Sequence, residues 1–179
     1  DRFLHFHIID VKDCSFFVCK SVLHSERQKC KIYSGSGIVA NTRKNEISTI
    51  NKIRFDPTNP CEDDIDIRDI AHALSMMTRA NGHFTEFYSV ARHSINCALE
   101  ATARGYSKRV ALFCLLHDSA ESYIGDMTRP LKMHFPLFSE YEKKLQKVIF
   151  SKYATLDIDD DEKEKVKSVD DSLLYHEFL

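Results

Sequence analysis

From Asp66 onward, apolar residues recur at spacings of three and four, and this repeat constrains the chain more than any other feature. Ile67, Ile70, Ala71, Leu74 and Met77 make one stripe, which predicts a helix capped by Asp66 and running to about Arg79. The run "NGH" breaks it. Thr85 is the expected cap of a second helix, with Phe87, Val90, Ser94, Cys97 or Ala98, and Ala101 on one face and a stop at Gly105. A third is expected from Ser107 to Gly125, turning Val110, Phe113, Leu116 and Ala120 inward. A fourth follows Pro136 with Leu137, Tyr141, Leu145, Val148 and Ile149. A fifth, after the acidic run "LDIDDDEKEK", carries Val166, Val169, Leu173 and Leu174. The expected fold class is all-α, a helical bundle.

Residues 1–46 differ in kind. "FLHFHIID" and "CSFFVCKSVL" are short β-prone runs and "YSGSGIVANTRKN" is a turn-rich joint, which predicts an N-terminal extension separate from a domain over 47–179. "IRFDPTNPCEDD" then reads as an extended lead-in. No apolar run approaches the ~20 residues that a membrane-spanning helix needs, so no membrane span is expected. Twenty-five basic against 27 acidic side chains leave a formal charge of −2, which gives no overall field for nucleic acid. The six cysteines are scattered without a C-x-x-C pair, a distribution that suits reduced thiols, and the opening "DRFLHFHIID" has no export signal; the expected location is the cytoplasm.

Against this apolar background, "LLHDSAESYIGDMTRPLK" carries His117, Asp118, Glu121 and Asp126. Charged groups are rarely taken out of water unless something pairs or binds them. His117 and Glu121 are four apart and share a face, and an imidazole beside a carboxylate is a divalent-metal ligand pair. A hydrogen-bonded core histidine would account for His117 alone; further carboxylates on or just past the same helix favour a cation, because repelling charges need one to coexist. His93 lies with the apolar stripe of the second helix and offers a third ligand, or else a core hydrogen bond. Asp170, four after Val166 and three before Leu173, turns a fourth inward, with Asp171 as the fallback.

Three helices thus offer inward ligand-type groups in the order H … HD … D. In this order, and in the runs "FDPTNPCEDDIDIRDIAHALSMMTRANGHFTEFYSVARHS" and "LLHDSAESYIGDMTRPLK", the chain resembles the HD-domain superfamily of metal-dependent phosphohydrolases, in particular bacterial and phage hydrolases related to 5′-deoxynucleotidases. The resemblance spans roughly Ile47 to Glu177. It implies that His93, His117, Asp118 and Asp170 hold one divalent ion, which could be Co, Mn, Fe, Ni, Zn or Mg. It implies that Glu121 orients or deprotonates the attacking water, that Arg79 holds the substrate phosphate, and that Asp126 lies near the sugar and the water. Lys132 would add charge near the phosphate, and His83 would join the site. The implied activity is release of phosphate from (deoxy)nucleoside 5′-monophosphates. A triphosphohydrolase with the same ligands and a non-catalytic sensor stand as alternatives. Relatives of this kind form homo-oligomers, so a dimer is expected. They also continue past the last ligand, so 47–179 is expected to be incomplete at its C-terminus, and they carry an aromatic where this chain has Ala80.

Overall fold

The computed structural model describes residues 45–154 and 158–178; the β-prone runs of the N-terminal extension lie outside the described residues. A small antiparallel hairpin of β1 (Ile47–Ser48) and β2 (Arg54–Phe55), with Lys52 at a positive φ of 62° in its turn, runs into the lead-in, which is not extended throughout but closes in a short 3₁₀ turn at Glu62–Asp64. Asn51 anchors the hairpin, donating its backbone and side-chain N–H groups to Asp69 Oδ1 at 3.0 and 2.9 Å. Phe55 is fully buried and stacks on Tyr123 with ring centroids 4.1 Å apart.

The rest is helical, as the stripes predict. In chain order come α1 (Ile67–Met76), α2 (Val90–Ala103), α3 (Lys108–Leu116), α4 (Glu121–Ile124), α5 (Arg129–Lys132), α6 (Pro136–Ala154) and α7 (Asp160–Glu177). α1, α4 and α6 enclose one apolar cluster built on Phe55, Ile70, Leu74, Tyr123, Leu145 and Ile149. A second joins α2, α3 and α7 through Cys97, Ala101, Val110, Cys114 and Val169. No helix among the described residues is long and apolar enough to cross a membrane.

Several boundaries differ from the expected ones, each for a local reason. α1 starts at the expected cap, where Asp66 accepts the Arg68 N–H at 2.8 Å, but it stops at Met76 rather than near Arg79. Met77 and Thr78 turn extended and pair with the residues before α2, through Val90 N–H to Met77 C=O at 3.0 Å and Arg79 N–H to Tyr88 C=O at 2.8 Å. That pairing keeps Tyr88 out of the helix. α2 is therefore capped by Ser89, not Thr85, with Ser89 Oγ accepting the Arg92 N–H at 3.1 Å, and Phe87 is left exposed. The acidic run leads into α7 and supplies its first turn from Asp160: Asp159 and Glu162 form a reciprocal capping box, and Asp160, Asp161 and Glu162 offset the positive end of the helix dipole.

The third expected helix is interrupted. After Leu116 the bonds tighten to three-residue turns, Ser119 N–H to Leu116 C=O and Glu121 N–H to Asp118 C=O, both at 3.0 Å. The cause is Gln146 of α6. Its Nε2 donates to Leu116 C=O at 2.7 Å and its Oε1 accepts from Ala120 N–H at 3.0 Å. Those are the two groups that a continuous α-helix would bond to one another, so the amide of Gln146 is a wedge in the ladder.

Candidate functional site

The interruption puts His117 and Asp118 on a bend between α3 and α4, facing α2 and α7. His93 of α2 is fully buried. Its Nε2 lies 3.3 Å from His117 Nε2 and 3.1 Å from Asp170 Oδ1 of α7. Asp118 Oδ2 lies 3.1 Å from His117 Nε2 and 3.8 Å from His93 Nε2. Donors held about 2.0–2.2 Å from one ion sit roughly 3–3.5 Å apart; three of these spacings fall in that range, while His93 Nε2 to Asp118 Oδ2 and His117 Nε2 to Asp170 Oδ1 are wider, at 3.8 Å.

Both imidazoles have their other nitrogen engaged. His93 Nδ1 meets Glu177 Oε1 at 2.7 Å, and His117 Nδ1 meets the Cys114 carbonyl at 2.7 Å. A carbonyl can only accept, so His117 carries its proton on Nδ1 and presents Nε2 to the cluster. Ligand histidines are commonly oriented in this way. The donor set of two imidazoles and two carboxylates fits a divalent ion. Glu121 supports the fit: it is buried, and its Oε2 has no hydrogen-bond partner among the described residues. Cys97 Sγ also falls in the cluster, since His93, Cys97, His117 and Asp170 offer ligand atoms all within 4.8 Å of one another. Burial, together with the carboxylates of Asp170 and Asp118, pushes the Cys97 thiol well up, which favours Asp118 over a thiolate as the fourth donor.

The charges are strongly coupled. Burial works against the ionised forms, yet His117, His93 and Arg79 outweigh it and hold Asp118 down at about 2. Burial likewise opposes ionisation of Asp170, and bonds from His117 and His93 hold it below the usual carboxylate range. Burial also opposes charge on His117, but Asp118 and Asp170 keep its pKa well above the ordinary imidazole value. Glu121 goes the other way. Burial first, then the neighbouring Asp118 and Asp126 carboxylates, push it up to about 10.

Arg79 stands at the start of a short 3₁₀ turn, Arg79–Gly82, and is largely buried. Its Nη1 donates to Asp118 Oδ2 and its Nη2 to Asp170 Oδ1, both at 3.2 Å, and its Nε donates to Glu177 Oε2 at 3.1 Å. Ala80 and Asn81 follow at φ of 50° and 54°, the left-handed region that side chains other than glycine disfavour. Asp126 Oδ2 accepts the Ala80 N–H at 3.2 Å and so holds this turn in place. His83 is exposed, and among the described residues its ring makes no hydrogen bond to the cluster. Asp171, the fallback for Asp170, faces outward to Arg129 and Lys167.

A cleft of about 830 Å³ between α6 and α7 opens on His117, Asp118, Glu121 and Asp170. Lys132 is one wall, paired to Glu142 at 2.6 Å. Arg79, His83 and Asp126 are not among its lining residues. Lys143 and Lys147 of α6 and Lys163 and Lys167 of α7 are, over an apolar bed of Phe150, Ile158 and Val166.

Six participants have no mark in the sequence pattern. Gln146 and the four lysines sit on amphipathic helices as ordinary polar residues would, and Glu177 reads as an acid near the end of the chain. The spacing of seven between Asp170 and Glu177, which places both on one face of α7, is the one signal that could have found Glu177.

No protein-family model matches the chain. An uncharacterized protein of Escherichia coli K12, YfdR, is 39% identical over 92 residues, 51% of this chain and 49% of that protein. An uncharacterized protein of Rhodobacter capsulatus is 44% identical over 84 residues, 44% of this chain and 42% of that protein. The chain thus spans about half the length of the curated relatives it matches, and neither description names an activity.

Proposed function

We propose that the chain is a metal-dependent phosphohydrolase that releases phosphate from (deoxy)nucleoside 5′-monophosphates. The observation that carries this reading is the convergence of two oriented imidazole Nε2 atoms and two carboxylates, of which His117, Asp118 and Asp170 face a lysine-walled cleft. Phosphate monoesters hydrolyse very slowly, so the protein must supply a poised water, neutralisation of charge and positioning. A divalent ion, when bound, supplies Lewis acidity to a phosphoryl oxygen and acidifies water. Glu121, buried beside the ligands with one oxygen unpartnered, orients the attacking water. Arg79 keeps N–H donors beyond its three ion pairs, and this reading assigns them to phosphate oxygens although the side chain stands behind the cleft lining. Asp126 fixes the turn that carries Arg79, and Lys132 adds positive charge beside Glu121.

A second reading, a nucleoside triphosphohydrolase, is favoured by the lysines of α6 and α7, which extend positive charge from the ligands along the cleft. One assay separates the two. Ribo- and deoxynucleoside mono- and triphosphates are incubated with Co²⁺, Mn²⁺, Mg²⁺ or EDTA, and orthophosphate, pyrophosphate and triphosphate are measured. Metal-dependent orthophosphate from monophosphates is expected. Triphosphate or pyrophosphate release, with a raised KM in the Lys143→Ala/Lys147→Ala protein, would transfer the chain to the second reading. Silence with every metal would sink both and leave a binding protein.

A further inference from the structure

Glu177 ends α7 and is the most connected carboxylate near the cluster, although it belongs to no expected ligand set. Its side chain is only 7% exposed. Oε1 accepts from Tyr88 O–H at 2.6 Å and meets His93 Nδ1 at 2.7 Å, while Oε2 accepts from Arg79 Nε at 3.1 Å. Asn96 Nδ2 in turn donates to the Tyr88 hydroxyl at 2.9 Å, so the tyrosine is held from behind by α2. One carboxylate therefore joins a fully buried histidine to the arginine that bridges Asp118 and Asp170.

Resting on the metal reading above, we propose that Glu177 is a positioning residue of the centre: it sets the ring of His93 with Nε2 toward the cluster, orders Arg79, and thereby sets the affinity of the site for a divalent cation. The geometry leaves no other arrangement that satisfies all three donors. Tyr88 has donated its proton to Oε1 and accepts from Asn96, so its hydroxyl cannot also serve His93. An ionised carboxylate only accepts, so the proton between it and His93 belongs to Nδ1, and the lone pair of Nε2 is left for a cation. Glutamine has the same shape and cannot do this. With its carbonyl on His93 and Tyr88 its NH₂ would face the N–H of Arg79, donor against donor, and turned over to serve Arg79 its NH₂ would face His93 Nδ1 and draw the ring proton to Nε2.

The test compares wild type, Glu177→Gln and Tyr88→Phe by calorimetric titration with Co²⁺, alongside ¹⁵N–¹H spectra of the histidine rings and helicity by circular dichroism. Wild type is expected to bind one equivalent. Glu177→Gln should bind about 10–100-fold more weakly, the loss typical of an outer partner of a ligand histidine, with unchanged helicity and a diminished Nδ1–H signal for His93. Tyr88→Phe keeps the carboxylate and removes one donor, and should show a smaller loss in the same direction even if the glutamine variant does not fold. Affinities within twofold of wild type in both variants, or a wild-type ring spectrum in Glu177→Gln, would overturn the role of Glu177. Failure of the wild type to bind any divalent cation would instead overturn the metal reading, a result the ring spectra do not depend on.

Discussion

Glu121 shows how the identity of one side chain sets a measurable property of the whole. Its carboxyl ordinarily titrates near 4.5; buried beside Asp118 and Asp126 it is pushed up to about 10. Between those values the folded state holds a proton that the unfolded state has released, so stability falls as pH rises through that window. In protein treated with chelator, unfolding free energy should decline by at most about 1.4 kcal/mol per pH unit from this group between roughly pH 5 and 9. Glu121→Gln, which mimics the protonated acid, should remove that part of the slope. Parallel pH profiles of the two proteins in urea melts would show that the burial of Glu121 has been misjudged. His93, His117 and Asp170 were legible because each falls in with an apolar stripe, and Asp118 because it directly follows His117. Glu177 was not, because its burial is made by Tyr88, Arg79 and His93, all distant in sequence.

At the scale of elements, helix existence was legible and helix ends were not. Ser89 displaces Thr85 as a cap because a backbone pairing across Met77–Arg79 holds Tyr88 extended, a tertiary effect that no propensity carries. The interruption after α3 is similar. Nothing in "ALFCLLHDSAESYI" requires a break, and the wedge comes from α6. This predicts an unusual separation of stability from function. In Gln146→Leu the Leu116 carbonyl and the Ala120 N–H can bond each other, so the loss should stay within about 1 kcal/mol. The helix would then close, turning Asp118 and Glu121 relative to His93 and Asp170. Calorimetry with Co²⁺ should register at least tenfold weaker binding while urea melts barely move; undiminished affinity would mean that the wedge does not position the site.

Across the whole molecule, the near-neutral formal charge of −2 conceals a division that only the fold reveals. Asp118, Glu121 and Asp170 gather at the floor of the cleft, and Lys143, Lys147, Lys163 and Lys167 stand along its walls. The helical architecture was readable from periodicity, whereas this division was not, since lysines at solvent-facing positions of α6 and α7 are also what any surface helix would carry.

The wedge of Gln146 also has a consequence in time. Until α6 docks, the segment from Ser107 to Gly125 has every local reason to form one unbroken helix, and in that form Asp118 is turned about 100° away from His117. A peptide of residues 105–126 in a helix-promoting solvent should accordingly give i to i+4 contacts straight through Leu116–Ala120, and an interruption there would place the break in the segment itself. The centre, on this view, is acquired late in folding. A nascent chain would carry His117, Asp118 and Glu121 well before it held them in their final arrangement.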